Sequence, residues 1–209
     1  MGVMKQASNM EKSLLERLTE HGFKKKRANV FVRKENECIQ HISILVTKTK
    51  GEESAHIRPT VGFTYETVNK LIYALQGNEY DRNRFTAHIS MEILINRKEP
   101  YDFYINKESD VSNITDMLVN DIKKFAFNLW ESCNSIEKYY RLLRERNELI
   151  RISTYSLRRP EWNLLALSIL LKNGDYEAIL NEYQVDFIKY GYSISDVGEK
   201  TKELIKARG

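Results

Sequence analysis

Apolar positions recur at helical spacing at the start of the chain and then change to strand-like alternation. The first apolar residues lie three or four positions apart and precede a glycine, which predicts an amphipathic helix that ends at that glycine. These residues are Met10, Leu14, Leu15 and Leu18, and the glycine is Gly22. Three segments rich in valine, isoleucine and phenylalanine follow and are typical of strands. They are "ANVFVRK", "CIQHISILVTK" and "SAHIRPTVGFTY".

The next stretch mixes strand and helix patterns. Pro59 lies inside the third predicted strand, and because proline cannot donate to a ladder, we expect an edge strand or a bulge there. "ETVNKLIYALQG" has helical spacing and ends at Gly77. "RFTAHISMEILIN" alternates strictly and predicts one continuous strand, and "EPYDFYINKE" predicts a short one.

From about Ser109 the apolar period is helical almost to the last residue. Ser112 and Ser135 are expected N-caps, and Pro160 is expected in the first turn of a strongly apolar helix. That helix and the "YEAILNEYQVDFIKYG" segment predict a helical hairpin, and a short charged helix is expected from about Ser195.

The order of these elements predicts the α+β class. We expect an N-terminal helix, an antiparallel sheet of about four to five strands, and a helical C-terminal half. Residues 1–108 form the predicted sheet region. Residues 109–209 form the predicted helical region, packed on the sheet in one compact unit.

Composition narrows the classes of function. The 209 residues include 33 basic and 29 acidic side chains, and the resulting net charge of +4 is a small excess for a nucleic-acid binder. Cys38 and Cys133 lie far apart and have no metal-site spacing, which favours reduced thiols and a cytoplasmic protein. The longest apolar-rich run, "WNLLALSILL", is about half of a membrane span. We predict no membrane association and no cofactor.

Three of the four histidines lie at matching positions of predicted strands. Because strand side chains alternate, each falls opposite to the apolar set of its strand. The predicted polar face contains His41, Ser43, His56, Arg58, Thr60, His88, Ser90 and Glu92. Three interpretations are open: a solvated or helix-covered face, a surface that binds a ligand or protein, or a metal or catalytic site built from imidazoles and a carboxylate.

Two basic clusters offer further candidates. One contains Arg141, Arg144, Arg146, Arg151, Arg158 and Arg159. Local pairing of Arg141 with Glu145 and of Arg144 with Glu148 predicts a solvated helix face, and the other interpretation is an acidic partner with Trp162 as aromatic anchor. The second cluster, "KKKR" at 24–27, is expected in an exposed connection, with contact to a nucleic acid or an acidic partner as the less favoured interpretation.

The first part of the chain resembles a family of small bacterial domains of unknown function. The resemblance rests on a Leu-rich helix, a Gly-Phe-Lys-Lys turn, a Phe-x-Arg strand and a strand with glutamine and serine. These positions are Gly22, Phe23, Lys24, Lys25, Phe31, Arg33, Gln40 and Ser43. It extends over about the first 145 residues, where "DIKKFAFNLWESCNSIEKYYRLL" resembles the family's following helix. The resemblance implies no catalytic residues, and because some relatives accompany toxin systems, it implies an immunity or antitoxin-like role.

These observations favour a non-enzymatic cytoplasmic protein-binding module, and the resemblance suggests one that neutralises a bacterial toxin. The chain has no Gly-rich phosphate loop, no G-x-S-x-G, no H-E-x-x-H and no C-x-x-C. The alternative is an enzyme or metal-binding protein that uses the histidine face, and nucleic-acid binding is the weaker alternative. Oligomeric state has no signature in the sequence.

Overall fold

The first helix forms where the apolar spacing predicts it. In the computed structural model, which describes residues 3–48, 53–155 and 159–208, helix α1 is Val3–Thr19. Gly22 has a φ of 81°, a left-handed conformation that glycine adopts readily. The amide of Gly22 donates to the carbonyl of Thr19, and the amide of Phe23 donates to that of Leu18. The predicted glycine stop is therefore confirmed.

A sheet of six strands follows in the described residues, and the α+β class is confirmed. The strands are β1 (Lys24–Arg27), β2 (Val30–Glu35), β3 (Cys38–Thr47), β4 (Ala55–Tyr65), β5 (Ala87–Ser90) and β6 (Phe103–Ile105). Their order is β1-β2-β3-β4-β5, and β6 pairs with β4. The β1–β2, β2–β3 and β4–β6 pairs are antiparallel.

Two local expectations are wrong. The basic "KKKR" segment is not a connection but the edge strand β1, with all four residues exposed. The strand predicted for 84–96 ends at Ser90, and helix α3 (Met91–Leu94) follows. Met, Glu and Leu are good helix formers, and a short apolar run does not distinguish strand from helix by its period.

Strand β4 lies inside the sheet, although Pro59 predicted an edge strand as one option. Its pairing with β6 joins Ala55, His56 and Ile57 to Ile105, Tyr104 and Phe103. This pairing ends two residues before Pro59, so the missing amide proton of Pro59 removes no bond from it.

The long helix predicted after Ser109 has three parts. They are α4 (Glu108–Asp121), a π-helical segment (Ile122–Ala126) and α5 (Phe127–Ser132). The helix begins before Ser112 because the Asp110 carboxylate accepts from the amides of Asn106 and Lys107 and thereby stabilises the first turn.

Helix α2 (Glu66–Gln76) lies between β4 and β5, where the helical spacing before Gly77 predicts it. The remaining helices agree closely with the predicted C-terminal half. They are α6 (Ile136–Arg144), α7 (Glu148–Tyr155), α8 (Pro160–Leu171), α9 (Tyr176–Glu182), α10 (Gln184–Lys189) and α11 (Ile194–Lys206). Ser135 caps α6 as predicted, since its hydroxyl accepts from the amide of Lys138. Helix α8 packs against α9, but the second arm of the predicted hairpin is interrupted at Tyr183.

The chain forms two compact units. The sheet unit contains Met1–Phe63 and His88–Asn134, and the helical unit contains Thr64–Ala87 and Ser135–Gly209. The prediction that residues 1–108 and 109–209 pack as one unit stays a prediction. Cys38 and Cys133 are buried and are not joined by a disulfide. Among the described residues no helix has the length and apolar character needed to cross a bilayer.

Candidate binding surface on the sheet

Alternation in β3, β4 and β5 places the predicted polar residues on one side of the sheet. On β4, for example, Ala55 and Ile57 are buried while His56 is half-buried and Arg58 is exposed. We call this side the polar sheet face. It consists of His41, Ser43, His56, Arg58, Thr60, His88 and Ser90.

A hydrogen-bonded group lies in the middle of this face. The Thr60 hydroxyl donates to the carbonyl of Ser43 at 3.2 Å, and Nε2 of His88 lies 2.8 Å from the same hydroxyl. Because the hydroxyl has one proton, His88 Nε2–H is the donor in the second contact. Thr60 therefore connects the histidine of β5 to the backbone of β3.

Burial favours the neutral form of the two central histidines. Burial lowers the pKa of His41 to about 3, and the nearby Lys26 and His88 contribute to the shift. Burial also lowers the pKa of His88. His41 is buried, so it does not present an imidazole to a partner.

Asp102 organises the edge of the polar sheet face. Its Oδ1 accepts from Arg58 Nε at 2.8 Å and its Oδ2 from Arg58 Nη2 at 3.1 Å, while His56 Nε2 lies 2.9 Å from Oδ2. The hydrogen bond from Arg58 is the main cause that lowers the pKa of Asp102, and His56 adds to it. Tyr104 stacks on the His56 ring with centroids 4.8 Å apart. We call these four residues the Asp102 cluster.

The Asp102 cluster fixes two exposed side chains. Arg58 is 54% exposed although both of its bonded nitrogens are held by one carboxylate. Tyr104 is 55% exposed although its ring is stacked. Glu92, which was predicted on the strand, lies on α3, and its Oε2 accepts from the amide of Tyr101. Its negative charge still acts on Arg58.

Ser43 and Ser90 contribute little to the accessible surface. Their hydroxyl oxygens are buried and have no hydrogen-bond partner within the described ranges. In that same part of the chain, no group of three or more His, Cys, Asp or Glu side chains is arranged to hold a metal ion.

The second predicted patch does not have the expected form. Trp162 is 2% exposed and packs edge-on against Phe187 and Tyr192, so it is a core residue of the helical unit instead of a surface anchor. The apolar character of α8 on nearly all sides indicates this burial, because a helix that is apolar all round is buried on several sides.

Three arginines of this patch pair with carboxylates of the helical unit. Arg144 and Arg146 both contact Glu182, at 2.7 and 3.0 Å, and Glu148 is not the partner of Arg144. Arg141 lies 4.0 Å from Glu145, as predicted. Arg158 lies outside the described residues.

Sequence reasoning missed a second ordered arginine in the sheet unit. Arg33 Nε donates to Gln40 Oε1 at 2.7 Å, and Arg33 Nη1 donates to the carbonyl of His21 at 3.2 Å. Its guanidinium lies 4.7 Å from the Phe127 ring centroid and 5.1 Å from that of Phe23. The alternation of β2 was the available signal, because it places Arg33 on the same face of the sheet as the buried Phe31.

A buried carboxyl of the helical unit was also missed. Glu161 is buried, and desolvation raises its pKa to about 7, with a smaller contribution from the charge of Asp186. Its Oε1 has no hydrogen-bond partner among the described residues. A glutamate next to Pro160 in a first helical turn is expected at the surface, so the sequence contains no warning of this burial.

The architecture and the polar sheet face define an α+β domain with one exposed, ordered sheet edge. Residues 14–132 match the model of the family described as "Domain of unknown function (DUF4304)", and the chain belongs to this family. The matched span contains all six strands and ends with α5, whereas α6 to α11 lie beyond it. No curated protein and no solved structure matches the chain.

Proposed function

We propose that the chain is a non-enzymatic cytoplasmic protein that binds a protein partner with the polar sheet face. The observation that supports this proposal most directly is the ordered and exposed pair of Arg58 and Tyr104. Arginine and tyrosine are enriched among the residues that dominate binding energies at protein interfaces. Here both side chains project from paired strands.

Pre-organisation is the physical reason to favour this surface. Ordering a long side chain at an interface costs about 0.5–1.5 kcal/mol, and Asp102 and His56 already fix Arg58 and Tyr104 before any partner arrives. A partner therefore meets a guanidinium and an aromatic ring in one defined geometry. The exposed Leu45 on β3 adds apolar surface to the same face.

The narrower form of the proposal is an immunity protein that covers the active surface of a bacterial toxin. The resemblance of the first part of the chain to domains that accompany toxin systems supports this form. Two buried cysteines without a disulfide are compatible with a reducing cytoplasm. The partner in this form is a toxin domain that arrests growth when it is expressed alone.

A photo-crosslinking experiment tests the binding surface. The photoreactive residue p-benzoylphenylalanine replaces Tyr104, and the cells are irradiated before lysis. We expect one dominant protein adduct, and we expect Arg58→Glu in the same chain to reduce its yield about tenfold. Expression of the captured partner, with and without this chain, then tests the immunity form through growth.

A matched control uses the same photoreactive residue at Val185, which is the most exposed large apolar side chain of α10. Adducts of equal yield and identity from positions 104 and 185 would contradict a specific surface on the sheet. An adduct yield at position 104 that is insensitive to Arg58→Glu would also contradict the proposal.

A further inference from the structure

The carboxylates of the polar sheet face are already engaged by the chain itself. Asp102 accepts from Arg58 and contacts His56, and Glu92 accepts from the amide of Tyr101. Both negative charges therefore have compensating groups within the sheet unit. A cationic partner would have to compete with Arg58 for Asp102.

Two lysines of the same face have no such compensation. Lys24 lies opposite Val32, which in turn lies opposite His41, and Lys34 lies opposite Ile39. Directly opposed residues share a face of the sheet, so both lysines belong to the side of His41. Both are exposed, and within the described ranges neither has a carboxylate oxygen within 4.0 Å.

The positive charges are spread too widely for one small anion. Lys24 is on β1, Lys34 on β2 and Arg58 on β4. With strands about 4.8 Å apart, β1 and β4 are separated by about 14 Å. This distance exceeds the screening length of about 8 Å at physiological salt. Only a surface or segment with several carboxylates reaches Lys24, Lys34 and the exposed side of the Asp102-bound Arg58 together.

We propose that the protein partner presents an acidic surface, with carboxylates placed against Lys24, Lys34 and Arg58. This inference rests on the proposed function and adds the electrostatic class of the partner to it. Exposed charges at the rim of an interface act mainly on the rate of association. The partner surface covered by this chain is accordingly acidic and does not resemble a basic nucleic-acid-binding cleft.

Fluorescence anisotropy with a defined probe tests the charge assignment. The probe is a labelled peptide of alternating glutamate and glycine, about twelve residues long, which is enough to cross the strands when extended. At about 20 mM salt we expect Lys24→Glu combined with Lys34→Glu to weaken binding about tenfold, and we expect binding to the unmodified chain to fall steeply by about 150 mM salt.

The matched control is Lys202→Glu combined with Lys206→Glu, at two exposed lysines of α11. Both double variants change the net charge equally, so a similar loss in the two would show a general charge effect and overturn the assignment. An oligouridylate of similar length is the second probe. If it binds more tightly than the peptide, and if the Lys24 and Lys34 double variant loses this binding, the partner would be a nucleic acid and the acidic protein surface would be ruled out. A crosslinked partner at Tyr104 without any peptide binding would overturn only the acidic class.

Discussion

Arg33 and Arg58 lie on opposite faces of one sheet and illustrate two uses of an ordered arginine. Each guanidinium is held by a side-chain acceptor, Gln40 for Arg33 and Asp102 for Arg58. Arg33 lies between aromatic rings with only 20% of its side chain exposed, whereas Arg58 is more than half exposed. The same residue type therefore stabilises the fold at one site and is available to a partner at the other.

The different surroundings explain why only one of the two sites is a candidate for binding. The acceptor of Arg33, Gln40, is 1% exposed and also donates to Glu35 Oε2 at 2.9 Å, so the whole group is committed inside the sheet unit. Gly22 approaches the same group, since a Cβ atom there would lie 3.5 Å from Arg33 Cδ. We expect stability to depend on Arg33 and partner binding to depend on Arg58.

The largest expected effect is from Arg33→Ala. The substitution removes the contacts with Phe127 and Phe23 and leaves the buried Oε1 of Gln40 without its donor. We expect the free energy of unfolding to fall by about 2–4 kcal/mol. Chemical denaturation measures this loss, and Lys34→Ala, at the exposed neighbouring position, is expected to change it by less than about 0.5 kcal/mol. A loss below about 1 kcal/mol for Arg33→Ala would remove the distinction between the two arginines.

A smaller effect is expected from Gly22→Ala. The added Cβ meets Arg33 only at ordinary contact distance, so the cost arises from the φ of 81° and amounts to about 1–2 kcal/mol. Gly198→Ala inside α11 is the matched control, because helical backbone favours alanine by about 0.8–1.0 kcal/mol. Opposite signs in thermal or chemical denaturation are the expected result. Destabilisation by both substitutions would point to crowding instead of backbone conformation.

The sequence predicts the helix stop and the faces of the sheet because both follow from local rules. Gly22 ends α1, and alternation correctly separates His56 and Arg58 from Ala55 and Ile57. Most residues of the polar sheet face could therefore be predicted from the alternation of apolar and polar positions. Asp102 was not, because its role depends on the pairing of β6 with β4, which joins residues far apart in sequence.

The errors have a common cause in tertiary context. Met91 to Leu94 satisfy the alternation of a strand, yet they form a helical turn that places Glu92 next to the amide of Tyr101. Trp162 follows the arginine cluster in sequence, which suggested an anchor beside it, but Phe187 and Tyr192 pack against Trp162 and bury it. Long-range pairing is not encoded in the local period of apolar residues, and closeness in sequence to charged residues does not place Trp162 at the surface.

The loss of stability at acid pH tests whether the ionised Asp102 carboxylate stabilises the sheet unit. The pKa of Asp102 is lower in the folded chain than the unfolded value of about 3.9, so its contribution is present above that pH and is lost as pH falls through the folded pKa. We expect Asp102→Asn to lower the free energy of unfolding by about 1 kcal/mol at neutral pH. We also expect the free energy of unfolding of this variant to fall less steeply as the pH is lowered. Asp116→Asn, at the exposed ion pair with Arg17, is the control and should change both by less than about 0.5 kcal/mol. An unchanged acid limb in Asp102→Asn would contradict the assigned role.

The smallest expected effect on stability is that of Arg58→Ala. Water replaces the lost contacts of an exposed guanidinium, and Asp102 keeps His56, so we expect a change below about 0.5 kcal/mol in the free energy of unfolding. Double-mutant cycles make the comparison quantitative, because they isolate the coupling of each arginine to its acceptor. We expect a coupling of about 1–2 kcal/mol for Arg33 with Gln40 and of about 0.5 kcal/mol for Arg58 with Asp102. Equal couplings would show that Arg58 also stabilises the fold. The ordered, exposed pair of Arg58 and Tyr104 would then no longer support a binding site.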